Sequence, residues 1–226
     1  MRYLEFQDHF KLFIVISLAQ IRLIEPEFDN RRLVEWQQKG YLTQLRRGYY
    51  IFSDKASNLA EEGLFLIANK IYVPSYVSLE TALHYYNFIP ETPFTVTSVS
   101  SRKTQQFQTN LANFSYRSVK PALMTGYRLV EVEGNRPNPI TSSENCQYAR
   151  LAVPEKALLD YLYLNPKIEA ELDFEALRLN QEEIKTICDF ARFAQLLDLY
   201  SNKALNKRAE ALLGWLGIDI KNITSP

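Results

Sequence analysis

Glycine, cysteine and histidine are scarce in this chain, and long apolar runs are missing. Its 226 residues include seven glycines, two cysteines and two histidines. The glycines form no phosphate-cradling loop and no elbow around a serine nucleophile. Cys146 and Cys188 stand too far apart for a disulfide framework or a zinc motif, and so few cysteines suit a cytoplasmic protein. With only His9 and His84 beside them, neither a transition-metal site nor a cofactor is expected. Runs such as Leu12–Ile16 are far shorter than the roughly 20 apolar residues that cross a bilayer, so no membrane partner is expected. Arg2, Glu5 and Asp8 make the first ten residues unlike a signal peptide. Twenty-six basic and 26 acidic residues cancel, so a surface for a polyanion has to be local.

What is abundant is aromatic. Fourteen tyrosines and 13 phenylalanines supply enough apolar area for a substantial core. The length allows one large domain or two modest ones, and the texture changes along the chain. Residues 1–54 read as three short helices and a hairpin: an apolar helix over Gln7–Val15, a second over Leu18–Ile24 capped by Ser17, and a third over Asn30–Lys39 capped by Asp29. Tyr41–Phe52 then forms two strands around Arg46-Arg47-Gly48, where Gly48 takes the positive φ of a tight turn. That order of elements is the order of a winged helix-turn-helix.

Residues 55–226 read as a mixed domain, helical over 165–226. Ser78 caps a helix reaching Tyr86, and Phe94–Val99, Phe114–Val119, Tyr127–Val132 and Tyr148–Val153 read as strands. Gly134–Asn145 reads as a loop, and Pro154 opens a helix through Leu164. Asn180 with Glu183 starts a long apolar-faced helix reaching Leu199, and Asn202–Leu216 forms the last one, ended by Gly217. The predicted fold class is therefore α+β: an N-terminal winged helix-turn-helix, then a mixed α/β domain with a helical C-terminal cap.

On the third helix, Leu33, Val34 and Trp36 fall on one side, while Arg31, Arg32, Glu35, Gln38 and Lys39 fall on the other. Asn30 precedes them, and Arg46, Arg47 and Tyr49 lie at the turn. Between Asn30 and Tyr50 there are five basic residues and one acid, Glu35. Long cations suit phosphates, and Arg, Asn and Gln forks suit base edges, so these eight residues are the candidate contacts to double-stranded DNA. A plain solvated helix face is the alternative, as is a winged-helix scaffold that binds protein or RNA. A second basic cluster, Arg102, Lys103, Arg117 and Lys120, lies in a stretch without acids from Thr92 to Val130. It serves either as protection of strand edges or as a further contact to nucleic acid or an acidic protein.

No catalytic set emerges. Glu155-Lys156 are adjacent at a helix start and diverge by about 100°, unlike a nuclease acid-x-Lys pair, and read as capping or surface charge. Ser78, Glu80 and His84 carry the letters of a nucleophile set, but Ser78 is committed as a cap and Glu80 pairs with His84 four residues on. Trp36, Trp215 and the Tyr85-Tyr86 pair read as core.

Five segments together resemble the AbiEi-type antitoxins of bacterial type IV toxin–antitoxin systems. They are Lys39-Gly-Tyr-Leu-Thr-Gln-Leu-Arg-Arg-Gly-Tyr-Tyr, Tyr76-Val-Ser-Leu-Glu-Thr-Ala-Leu-His-Tyr-Tyr, Thr97-Ser-Val-Ser-Ser-Arg-Lys-Thr, Phe114-Ser-Tyr-Arg-Ser-Val-Lys-Pro and Ala152-Val-Pro-Glu-Lys-Ala-Leu-Leu-Asp. They span roughly residues 30 to 165; the C-terminal helices share only their helicity with the family. The resemblance implies a winged helix that binds inverted repeats upstream of its own operon and represses it. It also implies a second domain that counteracts a nucleotidyltransferase-like toxin without necessarily forming a stable complex. By the same match Arg46, Arg47 and Gly48 become the wing, Arg102, Lys103 and Thr104 a recurrent basic motif, and Glu155, Lys156 and Asp160 the most recognisable helix, to which no chemical role attaches.

Overall fold

The computed structural model describes residues 1–132 and 147–218; the loop expected over Gly134–Asn145 lies outside the described residues. The chain is mixed α+β, with two sheets among the described residues. It opens with α1 (Tyr3–Phe10), β1 (Ile16–Ser17), α2 (Leu18–Ile24), α3 (Arg31–Gln38), β2 (Leu42–Arg46) and β3 (Tyr49–Phe52). The first helix is four residues earlier than the sequence suggested. The Arg2 N–H donates to the Glu5 carboxylate at 2.7 Å and starts the helix there, with Phe6 and Phe10 on its buried side. Ile14 and Val15, read as the end of a helix, instead lead into β1 at Ile16. At α2 the Ser17 hydroxyl accepts from the Gln20 N–H at 3.2 Å while the Gln20 amide oxygen accepts from the Ser17 N–H at 2.9 Å, a reciprocal cap.

β1, β3 and β2 form a three-stranded sheet in that order, with Gly48 at φ +82° in the hairpin turn. One face of this sheet contributes Ile16, Leu42, Tyr50 and Phe52 to a small core with Phe6, Phe10, Ile21, Phe28, Leu33 and Trp36. The other contributes Leu45 and Ile51, joined by Val15 just before β1, to a larger core formed by the rest of the chain. The uninterrupted apolar run Tyr-Tyr-Ile-Phe on β3 follows from this, since a strand covered on both faces need not alternate with polar residues. The small sheet is a wall shared by two cores.

The larger part continues with α4 (Ser53–Ala56), α5 (Glu61–Ile71), β4 (Ser75–Val77), α6 (Leu79–Tyr85), β5 (Thr95–Ser100), β6 (Gln105–Gln108), β7 (Asn113–Ser118), β8 (Tyr127–Glu131) and β9 (Tyr148–Ala152). Five helices follow: α7 (Pro154–Leu164), α8 (Glu171–Ala176), α9 (Gln181–Ile187), α10 (Phe190–Tyr200) and α11 (Lys203–Trp215). Residue 54, the expected domain boundary, falls inside α4. The six-stranded sheet runs β6-β7-β5-β4-β9-β8, with β4–β9 and β5–β7 parallel and the other pairs antiparallel. Ser75 donates to the Ala68 carbonyl of α5, whereas Tyr76 and Ser78 reach α7, so α5 and α7 cover opposite faces.

The long C-terminal helix expected from Asn180 to Leu199 is broken at Cys188-Asp189. Asp189 caps α10 by accepting the Arg192 N–H at 3.1 Å, and its own N–H donates to Glu155 at 2.7 Å. α10 and α11 then pack on α7 and belong to the larger core. Among the described residues no helix is long and apolar enough to cross a membrane, and no group of three or more His, Cys, Asp or Glu could hold a metal ion.

Burial holds several tyrosine hydroxyls above their ordinary value of 10.0: Tyr86 is pushed up to about 12, and Tyr76, Tyr116 and Tyr200 are raised well above 10.0. A phenol whose pKa is higher in the folded state contributes stability below pH 10.0 that disappears as pH rises past it. Alkaline titration should therefore show these tyrosinates appearing late and together with unfolding. Smooth ionisation of all 14 tyrosines with native circular dichroism would contradict the burial of these rings.

Candidate nucleic-acid interface

α3 is held from behind by its two buried residues, Leu33 and Trp36. The Trp36 ring meets Phe6 at 4.7 Å, Tyr3 at 5.5 Å and Phe28 at 6.0 Å, so α1 and the loop before α3 fix the helix orientation. Its outward face carries Arg31, Val34, Glu35, Gln38 and Lys39, all exposed, with Asn30 exposed just before it. Val34, expected on the inner side, is 53% exposed.

The cations of this face are not bare. The Arg31 guanidinium lies on the Asp29 carboxylate, Nη2 to Oδ2 at 2.9 Å, and holds that carboxyl below its usual range. Lys39 pairs with Glu35 at 2.6 Å and lowers Glu35 in the same way. Both pairs are at the surface, where such contacts exchange readily for phosphate or water. Arg32 is turned back: it is half-buried and donates to the Met1 carbonyl. The side chains of Asn30, Gln38 and Arg47 have no hydrogen-bond or ion-pair partner among the described residues, and Arg47 is exposed at the hairpin turn.

Arg46 does not project from that turn. Its Nη1 donates to the Ile71 carbonyl at the end of α5 at 2.5 Å, and its guanidinium lies over the Phe107 ring at 4.5 Å. The hairpin packs on the larger core, and an arginine on the β2 edge satisfies an orphan carbonyl there. Tyr49 is likewise half-buried against the larger core and lines a separate depression with Gln20, Lys70 and Val73. Thus Asn30, Arg31, Gln38 and Lys39 share one face, Arg47 marks the turn, and Arg32, Arg46 and Tyr49 point elsewhere.

In the second basic cluster, Arg102 donates to the Val73 carbonyl at 3.2 Å and lies over Tyr72 at 5.0 Å. Arg117, within β7 and opposite Val99 of β5, donates to the Leu164 carbonyl at the end of α7 at 2.8 Å. Lys103 and Lys120 are exposed. The cluster is dispersed, with Arg102 and Lys103 near Arg46 and the others apart.

The family-motif helix differs most from expectation. Glu155 and Lys156, read as capping or surface charge, and Asp160, to which no role was attached, are at most 1% exposed. Asp160 Oδ2 accepts from Tyr76 at 2.8 Å and Ser78 at 2.9 Å; Oδ1 accepts from Lys156 and Tyr200, both at 2.6 Å. Burial lowers the Lys156 ammonium pKa, and Asp160 opposes that shift. Gly126 makes room for the lysine: at φ +74° it would place a Cβ 3.1 Å from Lys156 Cγ and Cδ. Ser78 is therefore not the side-chain cap it was read as, and no Glu80–His84 pair forms; His84 Nε2 lies 3.4 Å from Thr92 Oγ1. The donors of Tyr76, Ser78, Lys156 and Tyr200 all end on Asp160, an arrangement that joins β4, α7 and α10, while Glu155 keeps one carboxylate oxygen without a hydrogen-bond partner among the described residues.

Two depressions meet at Arg46. One, of about 570 Å³, runs from Gln37 and Gly40 along β2 to Gln108 and Asn110. The other, of about 640 Å³, continues past Tyr72 and Phe107 to Arg102 and Lys103. β2 and β6, which flank this groove, are each the edge strand of a sheet. Sequence reasoning missed the groove because Tyr72 and Phe107 carry no local signal. The chain matches no family model and no curated protein.

Proposed function

We propose that the chain is a DNA-binding transcriptional repressor with an N-terminal winged helix-turn-helix, acting in the cytoplasm by binding and not by catalysis. The observation that carries this reading is α3: an amphipathic helix backed by Leu33 and Trp36 that offers Asn30, Arg31, Gln38 and Lys39 to solvent. The helix–strand–helix–helix–strand–strand order and the β1-β3-β2 sheet support it, because a winged helix has that order and sheet. In this reading α3 enters a major groove and Arg47 reaches a flanking phosphate. The resemblance to AbiEi-type antitoxins supports the further proposal that the operator is an inverted repeat before the chain's own operon. It also supports a role in countering a nucleotidyltransferase-like toxin.

Anisotropy titrations of a duplex taken from upstream of its own reading frame, beside a mixed-sequence duplex, test the proposal. Arg47→Glu should weaken both equally and lower the slope of log K on log salt by about 0.9 or more. Gln38→Ala should instead narrow the preference for the upstream duplex, by about 1–3 kcal/mol if its amide reads a base. Absence of binding by the parent chain at low salt would sink the reading. One observation favours a protein-binding scaffold instead: Val34 is exposed at the middle of the α3 face, flanked by the neutralised pairs Arg31–Asp29 and Lys39–Glu35. Salt-insensitive capture of a protein with no DNA affinity would select it.

A further inference from the structure

We infer that the cleft between the hairpin and the β5–β6 turn, lined by Arg46, Arg102 and Lys103, is a phosphate-binding site. Three cations from two parts of the fold line one depression of about 640 Å³, and no carboxylate lines it with them. None of the three forms an ion pair among the described residues. Like charges gathered without a counter-ion repel, and an anion in the cleft relieves that repulsion.

The cations are also pre-aimed. The carbonyls of Ile71 and Val73 each take one N–H, from Arg46 and Arg102 respectively, and Phe107 and Tyr72 lie beneath the two guanidiniums. A guanidinium has five N–H donors, so each arginine keeps most of its fork for an incoming group. The Tyr72 hydroxyl donates to the Lys103 carbonyl at 2.7 Å, which fixes the backbone that carries the third cation. Guanidiniums held over rings with N–H groups to spare suit the bidentate geometry of a phosphate oxygen pair. Stacking of a base is disfavoured, because the cations already occupy the faces of Tyr72 and Phe107.

The phosphate can come from a free nucleotide or from a nucleic-acid backbone that follows the groove from α3. The second source rests on the DNA-binding reading; the first does not. Binding of ATP, followed by calorimetry, and of a mixed-sequence duplex, followed across salt, separates them. The variant is Arg102→Gln with Lys103→Gln, both exposed, so folding is spared; Arg46 is left intact because it also satisfies α5. Lys120→Gln with Lys167→Gln removes the same charge elsewhere on the surface.

If the phosphate is that of a nucleotide, the parent binds ATP saturably, and the cleft variant weakens this about tenfold or more while the control does not. If it is that of a backbone, the cleft variant lowers the salt slope of duplex binding by about 1.8, for two lost contacts, and the control does not. Equal behaviour of the two double variants on both probes overturns the inference, as does a parent chain that binds neither. A parent that binds ATP but no duplex leaves the cleft standing and removes the repressor reading. A parent whose duplex binding responds to Gln38→Ala, with both double variants alike, does the reverse.

Discussion

Replacing Asp160 by alanine should destabilise the protein by about 3–5 kcal/mol, the range seen when one partner of a buried ion pair is removed. Four donors converge on this carboxylate, from Tyr76, Ser78, Lys156 and Tyr200. Without it the Lys156 ammonium is left in an apolar interior with no counter-charge, and three hydroxyls lose their acceptor. The lysine should then become the larger liability. Adding Lys156→Met to Asp160→Ala is expected to recover part of the loss, since a buried pair exchanged for well-packed apolar groups is often tolerated.

A pH signature distinguishes this account from simple loss of packing. Burial already lowers Lys156 below 10.5, and loss of Asp160 removes the influence that opposes the shift. Between the folded and unfolded pKa of such a base, the unfolded chain holds more protons, so stability rises with pH. The deficit of Asp160→Ala should shrink from neutral toward mildly alkaline pH, and that of the double variant should not. Urea midpoints across pH measure both. A deficit below about 1 kcal/mol would mean that the network does not join the elements it touches.

The parts of the fold legible in the sequence are those whose signals are local. Ser17 and Gln20 set the start of α2, Pro154 that of α7, and Asn202 with Gly217 bracket α11, each within a few residues of what it controls. α5 escaped because Phe65, Leu66, Ile67 and Ala68 bury successive faces, which erases the period that reveals an amphipathic helix. The break at Asp189 escaped for a different reason: one reason for it, Glu155, lies 34 residues away.

Distance also limited the reading of the candidate site. Lys156 and Asp160 stood out only as members of one motif helix, and Ser78 only as a helix cap. That Tyr76 and Ser78 meet Asp160 across 84 and 82 residues has no local sign. Arg46 is the sharper case. Its neighbour Arg47 is exposed, and nothing near residue 46 announces that the Ile71 carbonyl and Phe107 take its side chain. The charge count over Asn30–Tyr50 stopped one residue short of Asp29, so it overstated the bare positive charge of the face.

Trp36→Ala should cost about 3–5 kcal/mol, the range for removing a large aromatic from a core, and the damage should be confined to one side of the molecule. Among the described residues, ten buried ones form the small core, and Trp36 is its hub, meeting rings from Tyr3, Phe6 and Phe28. The other face of the shared sheet, through Leu45 and Ile51, stays packed against the larger core. Amide exchange should therefore accelerate in α1 and α3 while α7 and α10 keep their protection. Under the repressor reading, duplex affinity should fall on specific and mixed sequences alike, because the loss is of α3's orientation and not of a single contact. If protection falls evenly across both cores, the shared sheet couples them into one cooperative unit, and the face of α3 is then only as stable as the Asp160 network of the larger core.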